Sequence, residues 1–148
     1  MNIILRFVLV PLLLGWAMSA QAADRIGLVK VASGDVKIVR DGVEIAAEKG
    51  AELFEDDVIK TGENSAVGMT FSDNSRVSLG PDTSLGLEKY AHAKPGKQDK
   101  FDLRLTQGSL TATSGDIAKS RPLAMRVLMP TTVLGVKGTQ FAVRVGGA

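Results

Sequence analysis

Pro130-Thr131-Thr132-Val133-Leu134-Gly135-Val136-Lys137-Gly138-Thr139-Gln140-Phe141-Ala142-Val143-Arg144-Val145 closes the sequence and carries its most specific local pattern. Two apolar runs, Val133–Val136 and Phe141–Val145, flank the Gly135-Val136-Lys137-Gly138-Thr139 segment, which reads as a tight turn. Phe141, Val143 and Val145 fall on one strand face, Ala142 and Arg144 on the other, because a strand alternates its side chains with period two. The glycines supply backbone angles or close approaches that a Cβ would block.

The same alternation recurs upstream. Val67, Met69 and Phe71 share a face, as do Val77 and Leu79, Leu85 and Leu87, Phe101, Leu103 and Leu105, and Met125, Val127 and Met129. Gly27–Val31 and Asp35–Arg40 are the first candidate strands, with Val36 and Ile38 on one face. Asp41-Gly42 between apolar runs is a hairpin signal, and Val43–Ala46 returns from it. Asp73-Asn74-Ser75, Gly80-Pro81-Asp82 and Gln107-Gly108 read as further turns. Ser114–Pro122 reads as a connecting loop. No window sustains helical periodicity, and short strands return about every 8–12 residues, which is the all-β pattern. The expectation is one all-β domain over 24–145. Period and spacing leave a solenoid-like stack and a sandwich both open.

The N-terminus is a separate problem. Arg6 precedes the apolar run Phe7–Met18, and Ala20-Gln21-Ala22 is a small-x-small cleavage signal. Residues 1–22 therefore read as a secretory signal peptide and its signal helix, cut after Ala22. The apolar run is shorter than the ~20 residues of a membrane span. The chain has no cysteine, so a lipoprotein anchor and disulfides are both excluded, and an exported fold must hold by packing. Its 148 residues suffice for one core.

Lys and Arg number 18 against 16 Asp and Glu, and Arg6 leaves with the leader. So balanced a chain, once exported, gives no reason to expect nucleic acid as a partner.

Catalytic readings find little. His92 is the sole histidine, it lies in the polar stretch His92–Lys100, and its expected place is solvated surface. Glu55, Asp56 and Asp57 precede a strand and read as a solvated face, although paired carboxylates can do acid–base work when burial splits their pKa values. Together with Glu52 they offer a hard cation some oxygens, but the alternating calcium-loop spacing is absent. Transition-metal sites want Cys and His clusters. The Gly135–Thr139 segment lacks the phosphate-loop spacing and a following helix. No cofactor and no metal is expected. Lys94, Lys97 and Lys100 form the one basic cluster, a candidate contact to an anionic envelope polymer.

Four phrases resemble FecR-type periplasmic domains. Asp57, Ile59, Thr61 and Gly62 match a G-D-x-I-x-T-G phrase. Phe71, Asp73, Ser75, Val77 and Leu79 match an F-x-D-x-S-x-V-x-L hairpin. Phe101, Leu103, Leu105, Gly108 and Leu110 form an F-x-L-x-L-x-x-G-x-L run. The closing stretch has a T-P-T-like turn at Thr131, then Gly138, Thr139, Phe141 and Val143 of a G-T-x-F-x-V strand. The resemblance implies a β-solenoid-like domain in the periplasm and structural roles for these residues. Full-length regulators of this type join a cytoplasmic anti-sigma segment, one membrane span, this domain and a further C-terminal domain that meets an outer-membrane transporter. This chain matches the periplasmic part alone. It is therefore expected to be a non-enzymatic binding or adaptor module in envelope sensing, without direct sigma-factor contact and not integral to the membrane. Its partner would be an envelope protein. The alternative is a structural module binding peptidoglycan or glycans.

Overall fold

A computed structural model describes residues 24–92, 99–120, 123–138 and 140–146. The expected leader at 1–22, Lys94, Lys97 and Thr139 lie outside the described residues. Among the described residues twelve strands form in order: β1 Gly27–Ser33, β2 Val36–Arg40, β3 Val43–Ala46, β4 Glu52–Leu53, β5 Val58–Thr61, β6 Ala66–Phe71, β7 Arg76–Leu79, β8 Ser84–Ala91, β9 Lys100–Thr113, β10 Met125–Met129, β11 Thr132–Val136 and β12 Gln140–Val145. The expected all-β class is what forms. The strands make a single curled sheet, a half-barrel, whose pairings are antiparallel except for β9 with β10.

β9 is the spine. Its first half has β8 on one side and β10 on the other, and its second half has β7 and β12. The sheet thus has two wings that share this strand. One runs β3-β2-β5-β8-β9-β10-β11, the other β4-β1-β6-β7-β9-β12. The alternation read from the sequence is the alternation of burial: Val67, Met69, Phe71, Val77, Leu79, Leu85, Leu87, Phe101, Leu103 and Leu105 all enter one core. Each large side chain so buried contributes about 1.5–3 kcal/mol. Phe71, Tyr90 and Phe101 pack together at one place in it. Phe101 meets Phe71 edge-on at 4.7 Å and Tyr90 at 4.9 Å between ring centroids.

Three local expectations are corrected. Gln107-Gly108 does not turn the chain back; β9 continues through it. Inward residues are odd-numbered up to Leu105 and even-numbered from Leu110, so the strand changes parity at this point. Gly108 permits the change by taking φ +91°. Second, the closing stretch is not a hairpin. β11 pairs with β10 and β12 with β9, so the residues between them carry the chain from one wing to the other. Third, Ser114–Pro122 contains a short helix, α1 Asp116–Ser120, which buries Ile117 and Ala118. One turn of helix is too short to leave a periodic signature. β4 was also not foreseen, being two residues inside an acidic run.

The turns obey local chemistry. Asp41 and Gly42 take φ 52° and 77°, the pair of left-handed residues a two-residue hairpin demands. Asp56, Asn64, Asn74 and Asp82 also sit at positive φ, where their short polar side chains are tolerated.

Candidate functional site

Asp57, Asp73 with Ser75, and Thr61 with Gly62 and Gly108 sit in three polar knots that tie separate segments together. The first holds Asp57, which is buried and not on a solvated face as its acidic neighbourhood implied; Glu55 and Asp56 beside it are exposed. Arg40 of β2 grips its carboxylate with a two-pronged fork, Nε to Oδ1 at 2.8 Å and Nη2 to Oδ2 at 2.8 Å. The Phe54 amide donates to Oδ2 at 2.9 Å. Arg40 also donates to the Glu52 carbonyl at 3.1 Å, and its guanidinium lies 4.6 Å from the centre of the Phe54 ring. A buried carboxylate is tolerable only with such complete pairing.

The second knot centres on Asp73, which is fully buried. The expected turn forms here: the Ser75 amide donates to Oδ1 at 3.2 Å, and the Ser75 hydroxyl donates to the same oxygen. The same carboxylate reaches further. The Ile117 amide, in the first turn of α1, donates to Oδ2 at 3.2 Å, so Asp73 caps a helix 44 residues away. The Tyr90 hydroxyl accepts from the Asp73 amide at 2.9 Å and donates to Oδ1 at 3.3 Å. Burial, then the Asp73 charge, push the Tyr90 phenol well above its ordinary pKa.

The third knot lies where β9 changes parity. The Thr61 hydroxyl donates to the Gly80 carbonyl at 2.6 Å and accepts from the Thr83 amide at 2.9 Å. The Thr83 hydroxyl accepts from the Ser109 amide at 3.1 Å. The Gly62 amide donates to the Asp35 carbonyl at 2.9 Å. Ile59, Leu79 and Leu110 are core residues. Thr131 and Gly138 are exposed, and the Ser114 hydroxyl donates to the Gly138 carbonyl. Phe141 and Val143 are half-buried against the core.

One buried pair escaped sequence reading. Asp102 has a side chain 4% exposed and is held by Arg126 through Nε to Oδ1 at 3.0 Å and Nη2 to Oδ2 at 2.7 Å. Lys100 Nζ stands 3.6 Å from Oδ2. Burial by itself pushes this carboxyl up, but the Arg126 hydrogen bonds and charge, with Lys100, outweigh it and hold the pKa below its ordinary value. The signal was the polar parity of Asp102 between Phe101 and Leu103. Its partner could not be read because β9 and β10 pair in parallel from distant segments.

His92 is not solvated surface. Its side chain is 23% exposed, with Nδ1 buried 3.4 Å from Asp99 Oδ1, so the pair stands at the two ends of the 93–98 segment. An open cleft of about 560 Å³ beside it is lined by Arg25, Glu52, Ser72 and Tyr90 among others.

Chemically, the buried carboxylates Asp57, Asp73 and Asp102 are each saturated by arginine or by N–H and O–H donors, the arrangement of structural groups. Among the described residues no three of His, Cys, Asp and Glu converge as metal ligands, and no helix is long and apolar enough to cross a membrane. A family model described as FecR protein matches residues 57–148. No curated protein and no solved structure matches the chain.

Proposed function

This chain belongs to the FecR family, and from that membership we propose that it is a non-enzymatic binding or adaptor module of the periplasm, exported by residues 1–22 and working in cell-envelope sensing. The observation that carries this is how the motif residues are used. Asp57, Thr61, Asp73, Ser75 and Gly108 are consumed inside the fold, in contacts that shape its turns and tie them to its strands. What remains for function is the surface of the curled sheet and its edges, and that is the equipment of a binding module.

An envelope protein is the favoured partner over a wall polymer. The polymer reading rests on the lysine cluster, and Lys100 is engaged with Asp102.

The test is genetic. Deleting the gene is expected to alter an envelope-stress transcriptional response. The full chain should restore it, and the chain lacking residues 1–22 should not. An unchanged response under every envelope stress tried, or equal rescue by the leaderless chain, would sink the proposal.

A further inference from the structure

Among the described residues the half-barrel ends in four strand edges without a further strand beside them, β3, β4, β11 and β12. An exposed edge is a template for another strand, and proteins guard it with charge, shortness or irregularity. Three of these edges are guarded. β3 carries Glu44 at its middle, paired with Lys37 at 3.5 Å. β4 has two residues, and its Glu52 pairs with Arg25 at 3.3 Å. β12 turns Arg144 outward. β11, Thr132-Val133-Leu134-Gly135-Val136, has no charge, no proline and no bulge.

Two of the five large apolar side chains that stand exposed among the described residues lie at this edge. Val133 is 57% exposed and Leu123 is 65% exposed. Leu134 and Val136 pair with the buried Val127 and Met125 and so face the core, which puts Val133 and Gly135 on the outer face. Leu123 lies over Gly135: a Cβ there would fall 2.3 Å from Leu123 Cδ2. The outer face of β11 therefore reads, along the strand, as an exposed valine and then a backbone gap roofed by an exposed leucine.

We propose that β11 pairs with β11 of a second copy of this chain, antiparallel about a two-fold axis through Leu134. The sequence is self-complementary in that register. Each Val133 lies opposite the partner's Gly135 and against the partner's Leu123, which covers that glycine. Each Thr132 lies opposite the partner's Val136, and the two Leu134 side chains meet on the inner face. Directly opposed residues are close enough to touch. Val133 and Leu123 of each copy are buried, no charge is buried, and a two-fold closes the assembly at two copies. The pairing is independent of which envelope partner the module serves.

The purified protein should show a sedimentation coefficient that rises toward a dimer between about 10 μM and about 1 mM, as expected of a small apolar contact. Val133→Lys and Leu123→Ser should each raise the midpoint concentration at least about tenfold. Val43→Lys, on the opposite edge, should leave it in place. All three side chains are exposed, so the fold survives the changes. Because the chain has no cysteine, Leu134→Cys adds a single thiol on the axis, and a short bismaleimide should join two copies there and not through Ile45→Cys. A monomer throughout the concentration range, or a dimer indifferent to Val133→Lys, would overturn the proposal.

Discussion

Gly108 and Thr83 approach so closely that a Cβ on Gly108 would lie 2.2 Å from Thr83 Oγ1 and 2.5 Å from Thr83 Cα. The contact sits where β9 passes from one wing of the sheet to the other, so the crossing leaves no room for a side chain at this position. Gly108→Ala is expected to cost roughly 2–4 kcal/mol, combining left-handed strain with overpacking against backbone that cannot yield. Gly50 has the same φ of +91° and nothing within 4 Å of its would-be Cβ. Gly50→Ala should therefore cost only about 1 kcal/mol. Urea melts of both variants check this; equal losses would mean that backbone strain alone matters.

Arg40 and Asp57 should be energetically coupled. A double-mutant cycle on Asp57→Ala and Arg40→Ala is expected to give an interaction of roughly 1–3 kcal/mol, because they share one buried fork. Asp57→Ala and Arg40→Ala that simply add would show the pair to be independent.

Asp73 holds α1 from a distant turn. Asp73→Ala should cost roughly 2–4 kcal/mol by stranding the Ser75 and Ile117 donors. Asp73→Asn, which keeps a carbonyl oxygen, should cost less. Hydrogen exchange at the Ile117 amide is the direct readout, and it should speed up in Asp73→Ala more than exchange in β2 does. Uniform acceleration would assign Asp73 a global role only.

Acid should weaken the fold through Asp102. Its pKa is held below the ordinary value of 3.8, so in the folded state the charged form is favoured. The stability this contributes is present above that value and is lost as pH falls through the lower, folded one. In Arg126→Met that acid-dependent loss should shrink, since the group that lowers the pKa is gone. Denaturation midpoints from pH 7 down to about pH 2 test it. Identical acid profiles would contradict the assignment.

Tyr90 acts at the other end of the scale. Its pKa is raised by burial and by Asp73, so the neutral phenol is favoured in the fold. That contribution is complete below the ordinary value of 10.0 and is lost as pH climbs beyond it. Tyr90→Phe should be less stable at neutral pH, having lost two hydrogen bonds, yet flatter above pH 10. A variant as alkali-sensitive as the parent would place the effect elsewhere.

The faces of the strands were legible from the chain alone. Val67, Met69 and Phe71, or Phe101, Leu103 and Leu105, announce their burial by a period of two, and that period is a local property of extended backbone. Turns such as Asp41-Gly42 were legible for the same reason. The motif phrases in order were enough to recognise the family.

The partners of those strands were not legible. Nothing between Gln107 and Leu110 distinguishes a reversal from a strand that keeps going and changes parity; the difference is Thr83, packed against Gly108 from 25 residues earlier. Val133–Val136 and Phe141–Val145 look like the two arms of a hairpin, yet each joins a different wing, the first on β10 and the second on the far half of β9. Asp57 reads as one acid in a solvated row until Arg40 is seen to reach it across 17 residues. Period and turn chemistry act over a few residues and are written in neighbours. Pairing, burial of charge and the course of β9 are settled by contacts between segments far apart in the chain, which exist only once the sheet has curled.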